Sequence, residues 1–315
     1  MRLFLGVDGG QSGTTAVIGD ENGHILGTGE AGPCNHAAAA EGRVKLERAV
    51  AGSLAGACAQ AGLDPAGVSF ESACFGMSGG PEDKEAILAS LLRTAKLVVT
   101  TDAVTALAGA TASGQGIIVI AGTGSISFGR NAQGRSARAG GWGYIFGDEG
   151  AAFDIARQAL RAILRLDEGW GPPTRLRDLL LEATGSRNAN ETLHQFYTPD
   201  WPRSRVATLA PLVDSAAADG DGVARQILTN AAQSLALLAA SVRGQLWAAD
   251  EAVDVAYIGG VFQSRRVLER FRMLAEMDGV TRCGLPLYGP AVGALREAYW
   301  AAGLNPAGLE DRTPA

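Results

Sequence analysis

Lysine is scarce in this 315-residue chain, whose 27 basic residues comprise 3 lysines and 24 arginines. The basic residues are scattered along the chain and the formal net charge is −6. This distribution excludes the concentrated basic tract that binds nucleic acid, so no nucleic-acid partner is predicted.

Cysteine and histidine are also few. The four cysteines, Cys34, Cys58, Cys74 and Cys283, have no paired spacing, which excludes a recognisable zinc motif or disulfide framework. The three histidines are too dispersed to predict a metal cluster.

Long apolar runs are missing as well, and none approaches the roughly 20 residues that span a bilayer. The first residues reach Gly6 and Asp8 too early for a signal peptide. We therefore expect a cytoplasmic protein without a membrane partner. Its 47% apolar composition predicts a sizeable core, and its length predicts about two domains.

Two glycine-rich turns each follow a short apolar strand: the first glycine turn, Asp8–Thr14, and the second glycine turn, Ala121–Ser125. Glycine lets the backbone approach a ligand, and successive N–H groups can surround a phosphate. An unliganded hairpin could use the same residues, but the repetition favours phosphate binding. The predicted phosphate contacts are Gly9, Gly10, Gln11, Ser12, Gly13, Thr14, Gly122, Thr123 and Gly124. No lysine stands where a Walker loop needs one, and a strand follows where a dinucleotide fingerprint has a helix.

The layout around these turns repeats. We predict strands at Leu3–Val7, Thr14–Gly19, His24–Glu30, Phe70–Phe75 and Lys96–Thr101, with helices at 38–61, Asp83–Arg93 and Ala103–Ala110. Strands restart at Gly116–Ala121, Ser125–Gly129 and Arg135–Ala139, followed by a helical stretch at 149–249 and a strand at Val253–Ile258. The prediction is an α/β fold with a duplicated βββαβαβα unit. A short turn near Ser113–Gln115 separates the halves, so we expect two domains that close around a substrate and exclude water.

Two aspartates follow predicted strands. Asp8 could bond to its own turn, but beside Gly9 it could also hold a magnesium ion, which needs only one or two protein carboxylates. Asp102 could cap the helix that follows it. Its position between two phosphate turns favours a general base that accepts a proton from an attacking sugar hydroxyl. The two roles of Asp102 are compatible, because a cap leaves one carboxylate oxygen free.

Loops that follow strands supply the candidate sugar contacts. The candidate sugar loop, residues 140–150, is rich in glycine and contains Gly141, Trp142, Gly143 and Asp148. Such a loop is costly to order unless it binds something, although Trp142 could be a core anchor and Asp148 could cap a helix beginning near Glu149. Further candidates are Asn35, Ser78 and Gly79, for which loop geometry is the alternative role. Gly259, Gly260 and Gln263 follow a strand and suit an adenosine, or form a tight turn only.

In this order, these residues resemble the N-acetylglucosamine kinases of the BadF/BadG/BcrA/BcrD ATPase family, within the actin, sugar-kinase and heat-shock ATPase superfamily. The resemblance covers nearly the whole chain, and the block from Gly140–Gly143 to Gly147–Gly150 is its most specific part. The other segments that carry it are Gly6–Gly10, Gly32–His36, Ser78–Gly80, Thr100–Ala103, Ala121–Ser125 and Gly259–Gly260.

The resemblance implies two ribonuclease-H-like domains around a cleft, at 1–113 plus 289–315 and at 114–288, the second with a helical insertion. It implies ATP with Mg²⁺, transfer to a sugar 6-hydroxyl, and a homodimer. By position, Asp102 matches the catalytic base and Thr123 with the glycine turns matches the phosphate contacts. Asn35, Gly141–Gly143 and Asp148 match the sugar contacts.

One departure is Ala37, which stands where an aromatic residue is common and leaves the contact to the sugar substituent open. A glucosamine kinase is therefore an alternative. Related ATPase activators of dehydratases, which hold an iron–sulfur cluster between subunits with cysteines, are an alternative of another class. An ATP-binding sugar sensor without chemistry is disfavoured by Asp102.

The composition of the nearby loops bears on which amino sugar is used. They supply no lysine or arginine for a lactyl carboxylate, so muramic-type sugars are expected to be poor substrates. Only Glu149 is at hand for a free ammonium group. An acetamido group needs apolar contact and backbone hydrogen bonds, which glycines beside Trp142 can give. We therefore expect N-acetylglucosamine to be preferred over glucosamine.

Overall fold

A computed structural model describes residues 1–10, 13–34, 42–79, 84–306 and 308–311. The chain divides into two compact units: Met1–Gln115 with Pro286–Ala315, and Gly116–Leu285. The strands are β1 (Leu3–Gly9), β2 (Thr14–Asp20), β3 (His24–Ala31), β4 (Ser69–Met77), β5 (Arg93–Thr101), β6 (Gly116–Ala121), β7 (Ser125–Arg130), β8 (Ser136–Gly140), β9 (Val253–Ile258), β10 (Thr281–Gly284) and β11 (Glu310–Asp311).

The α-helices are α1 (Gly42–Ala61), α2 (Glu85–Leu91), α3 (Asp102–Ala110), α4 (Ala152–Asp167), α5 (Leu176–Thr184), α6 (Ala189–Phe196), α7 (Arg203–Ala207), α8 (Ala210–Ala218), α9 (Gly222–Leu246), α10 (Arg265–Ala275) and α11 (Pro290–Ala301). A 3₁₀-helix covers Gly260–Gln263. Within the described residues, no helix is long and apolar enough to cross a membrane.

Each unit contains one mixed sheet with the same strand order. The first sheet runs β3-β2-β1-β4-β5, with the short β11 outside β3, and the second runs β8-β7-β6-β9-β10. In both, the first three strands pair antiparallel and the remaining pairs of the five are parallel. The predicted α/β fold with a duplicated unit is confirmed.

Parallel pairing aligns the carboxyl ends of the central strands. In the first sheet Asp8 is opposite Gly76, and Gly76 is opposite Thr100. In the second, Ile120 is opposite Ile258. The segments that follow these strands therefore leave each sheet at one edge, as is usual for ligand sites in α/β proteins.

Two helix boundaries differ from the prediction. The helix predicted at Asp83–Arg93 ends at Leu91, because Arg93 already pairs with Ser69 in the sheet. The helix predicted near Glu149 begins at Ala152, since Asp148 and Gly150 have positive φ values. After β9, where the sequence suggested a tight turn at Gly259, Gly260 and Gln263, the chain forms a 3₁₀ turn, and α10 follows with the Ser264 side chain accepting a hydrogen bond from the Val267 N–H. Residues 38–41 of the first predicted helix lie outside the described residues.

The last helix, α11, closes the core of the first unit against β1 and α3. Gly293 allows this approach, because a Cβ there would overlap the Thr105 carbonyl oxygen and lie 2.5 Å from the Gly109 nitrogen. The buried Arg296 side chain donates hydrogen bonds to carbonyls at the end of α3, among them that of Thr111 at 2.6 Å. These bonds satisfy acceptors that a helix end leaves open and place positive charge where the helix dipole favours it.

We predict that Gly293→Ala lowers the free energy of unfolding by about 2 kcal/mol or more, because the added methyl meets backbone that cannot yield. Thermal and urea unfolding measure the change. The control is Gly244→Ala in α9, where a Cβ has nothing within 4 Å. That change should be neutral or stabilising by up to about 1 kcal/mol. Equal stability of the two variants would contradict the close packing of α11.

Candidate active site

Asp102 and Ser78 are paired in the first unit. The Ser78 hydroxyl donates to Asp102 Oδ2 at 2.6 Å, and the Ala103 N–H donates to Oδ1 at 2.9 Å. Asp102 is the first residue of α3, and Thr101 occupies the cap position with no side-chain cap bond. The N-cap alternative for Asp102 is therefore wrong, since among the described residues its carboxylate accepts hydrogen bonds from the next residue's N–H and from Ser78. Both oxygens keep a lone pair for a further partner.

Asp8 lies on the same sheet edge as Asp102. Burial, with a smaller contribution from the negative charge of Asp102, raises the pKa of Asp8 to about 7. The Ser78 N–H donates to the Gly9 carbonyl at 3.0 Å, which joins the segment after β4 to the first glycine turn. The structure thus brings Asp8, Gly9, Ser78 and Asp102 together.

The first glycine turn is held by its own hydrogen bonds. The Gly10 N–H donates to the Gly13 carbonyl at 2.9 Å, and the buried Thr14 hydroxyl donates to the Gly32 carbonyl at 2.9 Å. The Thr14 side chain therefore fixes the turn and does not face a ligand, contrary to the prediction. Packing favours glycine at position 9, because a Cβ there would overlap the Met77 Sδ and would also lie 3.3 Å from Cys34 Sγ. Gln11, Ser12 and Asn35 lie outside the described residues.

The second glycine turn is more open. The Gly122 N–H donates to the Gly124 carbonyl at 2.9 Å, while a Cβ on Gly122 would have nothing within 4 Å. A Cβ on Gly124 would instead lie 2.9 Å from Asp148 Oδ2 and 2.5 Å from Arg203 Nη2. Space for a ligand therefore lies on the Gly122 side, where Thr123 is partly exposed.

Asp148 lies next to Gly124 of the second glycine turn. Its buried carboxylate accepts a hydrogen bond from the Ser125 N–H at 3.2 Å and forms an ion pair with Arg203. Its φ of 62° makes it the one non-glycine residue with a positive φ among those the structure describes. Asp148 is not a helix cap, because α4 begins only at Ala152.

Arg203 was not predicted from the sequence. It is the first residue of α7, in the helical region after the candidate sugar loop, and no motif surrounds it. Its guanidinium lies over the rings of Tyr144 and Phe153, with centroid distances of 5.5 and 6.0 Å. The sequence offers only the presence of an arginine that could pair with the charge of Asp148, 55 positions earlier in the chain.

The candidate sugar loop exposes Trp142, whose side chain is 64% accessible, so the core-anchor alternative is wrong. The loop is fixed at both ends, because the Gly141 N–H donates to the Ser125 carbonyl at 2.9 Å and the Gly147 N–H to the Gly143 carbonyl at 2.8 Å. Arg138 lies over the Trp142 ring, 4.4 Å from its centroid. This cation comes from strand β8 and not from a loop, so the prediction from loop composition did not consider it.

The adenosine candidates follow β9. Gly259 has a φ of 111°, and a Cβ there would overlap the Ala121 carbonyl and lie 3.0 Å from the Gly122 nitrogen. This glycine places the turn after β9 against the second glycine turn. Gly260 faces open space and Gln263 is exposed, so both remain accessible to a ligand. Gly79, with a φ of 81°, follows Ser78 in the first unit.

Residues 5–298 match the model of the BadF/BadG/BcrA/BcrD ATPase family. The chain belongs to this family. The predicted resemblance is confirmed, and both glycine turns, Asp102 and Asp148 fall inside the matched segment.

Two members are similar over most of their length. The chain is 34% identical to an N-acetylmuramic acid/N-acetylglucosamine kinase from Clostridium acetobutylicum, over 88% of this chain and 92% of that one. It is 31% identical to an N-acetyl-D-glucosamine kinase from Dictyostelium discoideum, over 85% and 88%. A solved structure from Chromobacterium violaceum, a proposed N-acetylglucosamine kinase, is similar with a TM-score of 0.76 and 28% identity, covering 94% of this chain and 98% of that one.

The carboxylates of the first unit fit a magnesium ion. Burial, with a smaller contribution from the negative charge of Asp102, raises the pKa of Asp8, and a cation bound beside the two carboxylates would stabilise their charged forms. Mg²⁺ commonly takes one or two protein carboxylates and completes its shell with water and substrate phosphate. No group of three or more metal-ligating side chains occurs among the described residues, and such a magnesium site does not need one.

We predict that Asp8→Asn raises the stability of the metal-free protein at pH 8. The pKa of Asp8 is about 7 when folded against an ordinary value of 3.8, so the folded state keeps a proton that the unfolded chain has already lost. Stability therefore falls as pH rises from about 4 through 7, by up to about 4 kcal/mol. Asparagine removes this loss.

Urea unfolding in EDTA at pH 5, 6.5 and 8 measures the difference between variant and wild type. We expect the difference to be largest at pH 8 and to shrink toward pH 5. Asp250→Asn, at an exposed aspartate, is the control and should shift neither curve. A variant that is less stable than the wild type at pH 8 would show that Asp8 is not destabilised by ionisation.

Proposed function

We propose that this protein is an ATP-dependent amino-sugar kinase that transfers the terminal phosphoryl group of ATP to the 6-hydroxyl of N-acetylglucosamine. The observation that carries the proposal is the pairing of Asp102 with Ser78 beside Asp8, at the sheet edge where the first glycine turn begins. The similar kinases from two organisms support the choice of an amino sugar.

Asp102 acts as the general base in this proposal. Its carboxylate accepts the proton of the 6-hydroxyl while that oxygen forms a bond to the γ-phosphorus, and the bond between this phosphorus and the β–γ bridging oxygen breaks to release ADP. The Ser78 hydroxyl and the Ala103 N–H orient the carboxylate. A base held by two hydrogen bonds loses little orientational freedom when the substrate arrives.

Asp8 would hold Mg²⁺, which supplies charge neutralisation for the phosphates when bound. The backbone N–H groups of the two glycine turns and the Thr123 hydroxyl contact the phosphates in this proposal. Gly259, Gly260 and Gln263 contact the adenosine. Asp148, Ser78, Gly79, Asn35 and the Gly141–Gly143 turn with Trp142 contact the sugar.

N-acetylglucosamine remains our preferred substrate over glucosamine. The exposed face of Trp142 and the glycines beside it offer apolar contact and backbone hydrogen bonds for an acetamido group. Arg138 beside Trp142 removes the reason for excluding muramic-type sugars, because a guanidinium can pair with a lactyl carboxylate. These sugars therefore join the substrates to be compared.

The dehydratase-activator alternative is not favoured. Cys34, Cys58 and Cys74 are buried inside the first unit, and Cys283 is partly exposed in the second. Buried thiols inside a unit cannot reach a cluster shared between subunits. Iron analysis of protein purified without oxygen tests this alternative, and we expect none above background. A homodimer, a cytoplasmic location and the domain limits at 113/114 and 288/289 stay predictions.

We predict that Asp102→Asn lowers kcat by about 10²–10⁴-fold, the usual contribution of a positioned general base. Asparagine keeps an oxygen for the Ala103 N–H, so the start of α3 should remain intact. Steady-state ADP release and circular dichroism measure activity and folding, with Asp250→Asn as the matched control. A folded Asp102→Asn protein with near-wild-type turnover would leave Asp102 a structural residue only.

We predict that kcat/KM for N-acetylglucosamine exceeds that for glucosamine under matched ATP and magnesium. A coupled ADP-release assay with these two sugars, N-acetylmuramic acid and glucose measures the ratio, and phosphorus NMR locates the new phosphate. A preference for glucosamine of about tenfold, or 1.4 kcal/mol at the transition state, would overturn the choice of sugar. It would leave the kinase proposal standing.

A further inference from the structure

Asp148 combines a buried carboxylate with a strained backbone conformation, and both need stabilising contacts from the surrounding residues. A carboxylate with little exposure to water needs a partner to stay charged, and a left-handed backbone conformation is strained for a residue other than glycine. The Ser125 N–H satisfies only one of the two oxygens. The ion pair with Arg203 at the other oxygen is therefore the contact that balances the charge.

Arg203 contacts two parts of the second unit at once. Its Nη2 pairs with Asp148 and lies beside Gly124 of the second glycine turn, and its guanidinium covers the ring of Tyr144 in the candidate sugar loop. The Tyr144 ring in turn packs edge-on against the Phe153 ring, with 5.2 Å between the ring centroids. One side chain thus links the second glycine turn to two residues of the candidate sugar loop, Tyr144 and Asp148.

The remaining contacts of Arg203 show that this placement is specific. Its Nε is buried and has no hydrogen-bond partner among the described residues. A buried donor without a partner is unfavourable, so the position of the guanidinium is not explained by its own hydrogen bonding. It is positioned over Asp148 and Tyr144. A lysine could supply the charge there but not the planar group that covers a ring.

We propose that Arg203 is a positioning residue for the sugar: it orients the Asp148 carboxylate through their ion pair, and it fixes the candidate sugar loop through Tyr144. This inference rests on the proposed function, in which Asp148 accepts hydrogen bonds from sugar hydroxyls. Replacing Arg203 should therefore weaken sugar binding through Asp148. Replacing an arginine that contacts the phosphates would instead weaken ATP binding.

Arg203→Gln tests the proposal in the full-length enzyme. We expect the KM for the sugar to rise about tenfold or more, while the KM for ATP changes less than about twofold. Arg203→Lys should recover part of the sugar affinity, because it restores the charge without the planar group. Arg205→Gln, two residues along α7 with an exposed side chain, is the matched control and should change neither constant.

A double-mutant cycle with Asp148→Asn decides whether Arg203 acts through Asp148. We expect Arg203→Gln to add little in the Asp148→Asn background, since the group it positions is already altered. Additive effects, an unchanged sugar KM, or a rise confined to the KM for ATP would each overturn the proposal. If the glutamine variant fails to fold, the lysine variant decides, and a wild-type sugar KM in that variant also overturns it.

The wild-type protein separates this inference from the proposed function. No sugar-dependent ADP release by the wild type would overturn the kinase proposal, and the sugar role of Arg203 with it. An active wild type with an unaffected Arg203→Gln variant would overturn only the positioning role. If another sugar proves to be the substrate, the same variants are compared with that sugar.

Discussion

Parallel pairing at the centre of each sheet is the constraint on which the candidate residues depend. Because β1, β4 and β5 run in one direction, the segments after them leave the sheet at the same edge, where Asp8, Ser78 and Asp102 meet. The pairing of β6 with β9 does the same for the second glycine turn and Gly259. If neighbouring strands at these positions ran antiparallel instead, their ends would lie at opposite edges of the sheet and these groups would be far apart.

Charge is handled differently in the two units. In the first, burial, with the negative charge of Asp102 as the smaller cause, keeps the pKa of Asp8 high. In the second, Asp148 has its countercharge from Arg203 within the fold. A carboxylate whose charged form is disfavoured suits a cation that arrives with the substrate, whereas one paired with an arginine suits neutral hydroxyl groups.

Local pattern carried most of what the sequence could predict. Glycine turns after apolar strands, aspartates at strand ends and the repeated layout are short-range features, so the α/β fold and the grouping around Asp102 followed from them. The reasons for individual glycines did not follow. Gly9 and Gly124 look alike in sequence, yet a Cβ at each would meet side chains from a distant segment: mainly Met77 at Gly9, and Asp148 with Arg203 at Gly124. The sequence predicts that the Thr14 hydroxyl contacts a phosphate, but in the structure this hydroxyl donates to the Gly32 carbonyl. Arg203 could not be identified as a site residue from the sequence, because its partner Asp148 lies far along the chain and no local pattern connects the two.

The position of α11 in the chain has a consequence for synthesis on the ribosome. Leu295, Gly293 and Tyr299 complete the core of the first unit, and the Tyr299 hydroxyl donates to the Asp20 carbonyl at 2.6 Å. These residues are made only after the whole of the second unit, which is continuous from Gly116 to Leu285. The N-terminal strands therefore wait with one face uncovered while the later unit emerges and can fold. The core of the first unit can therefore be completed only after the second unit has been synthesised, although its strands emerge first.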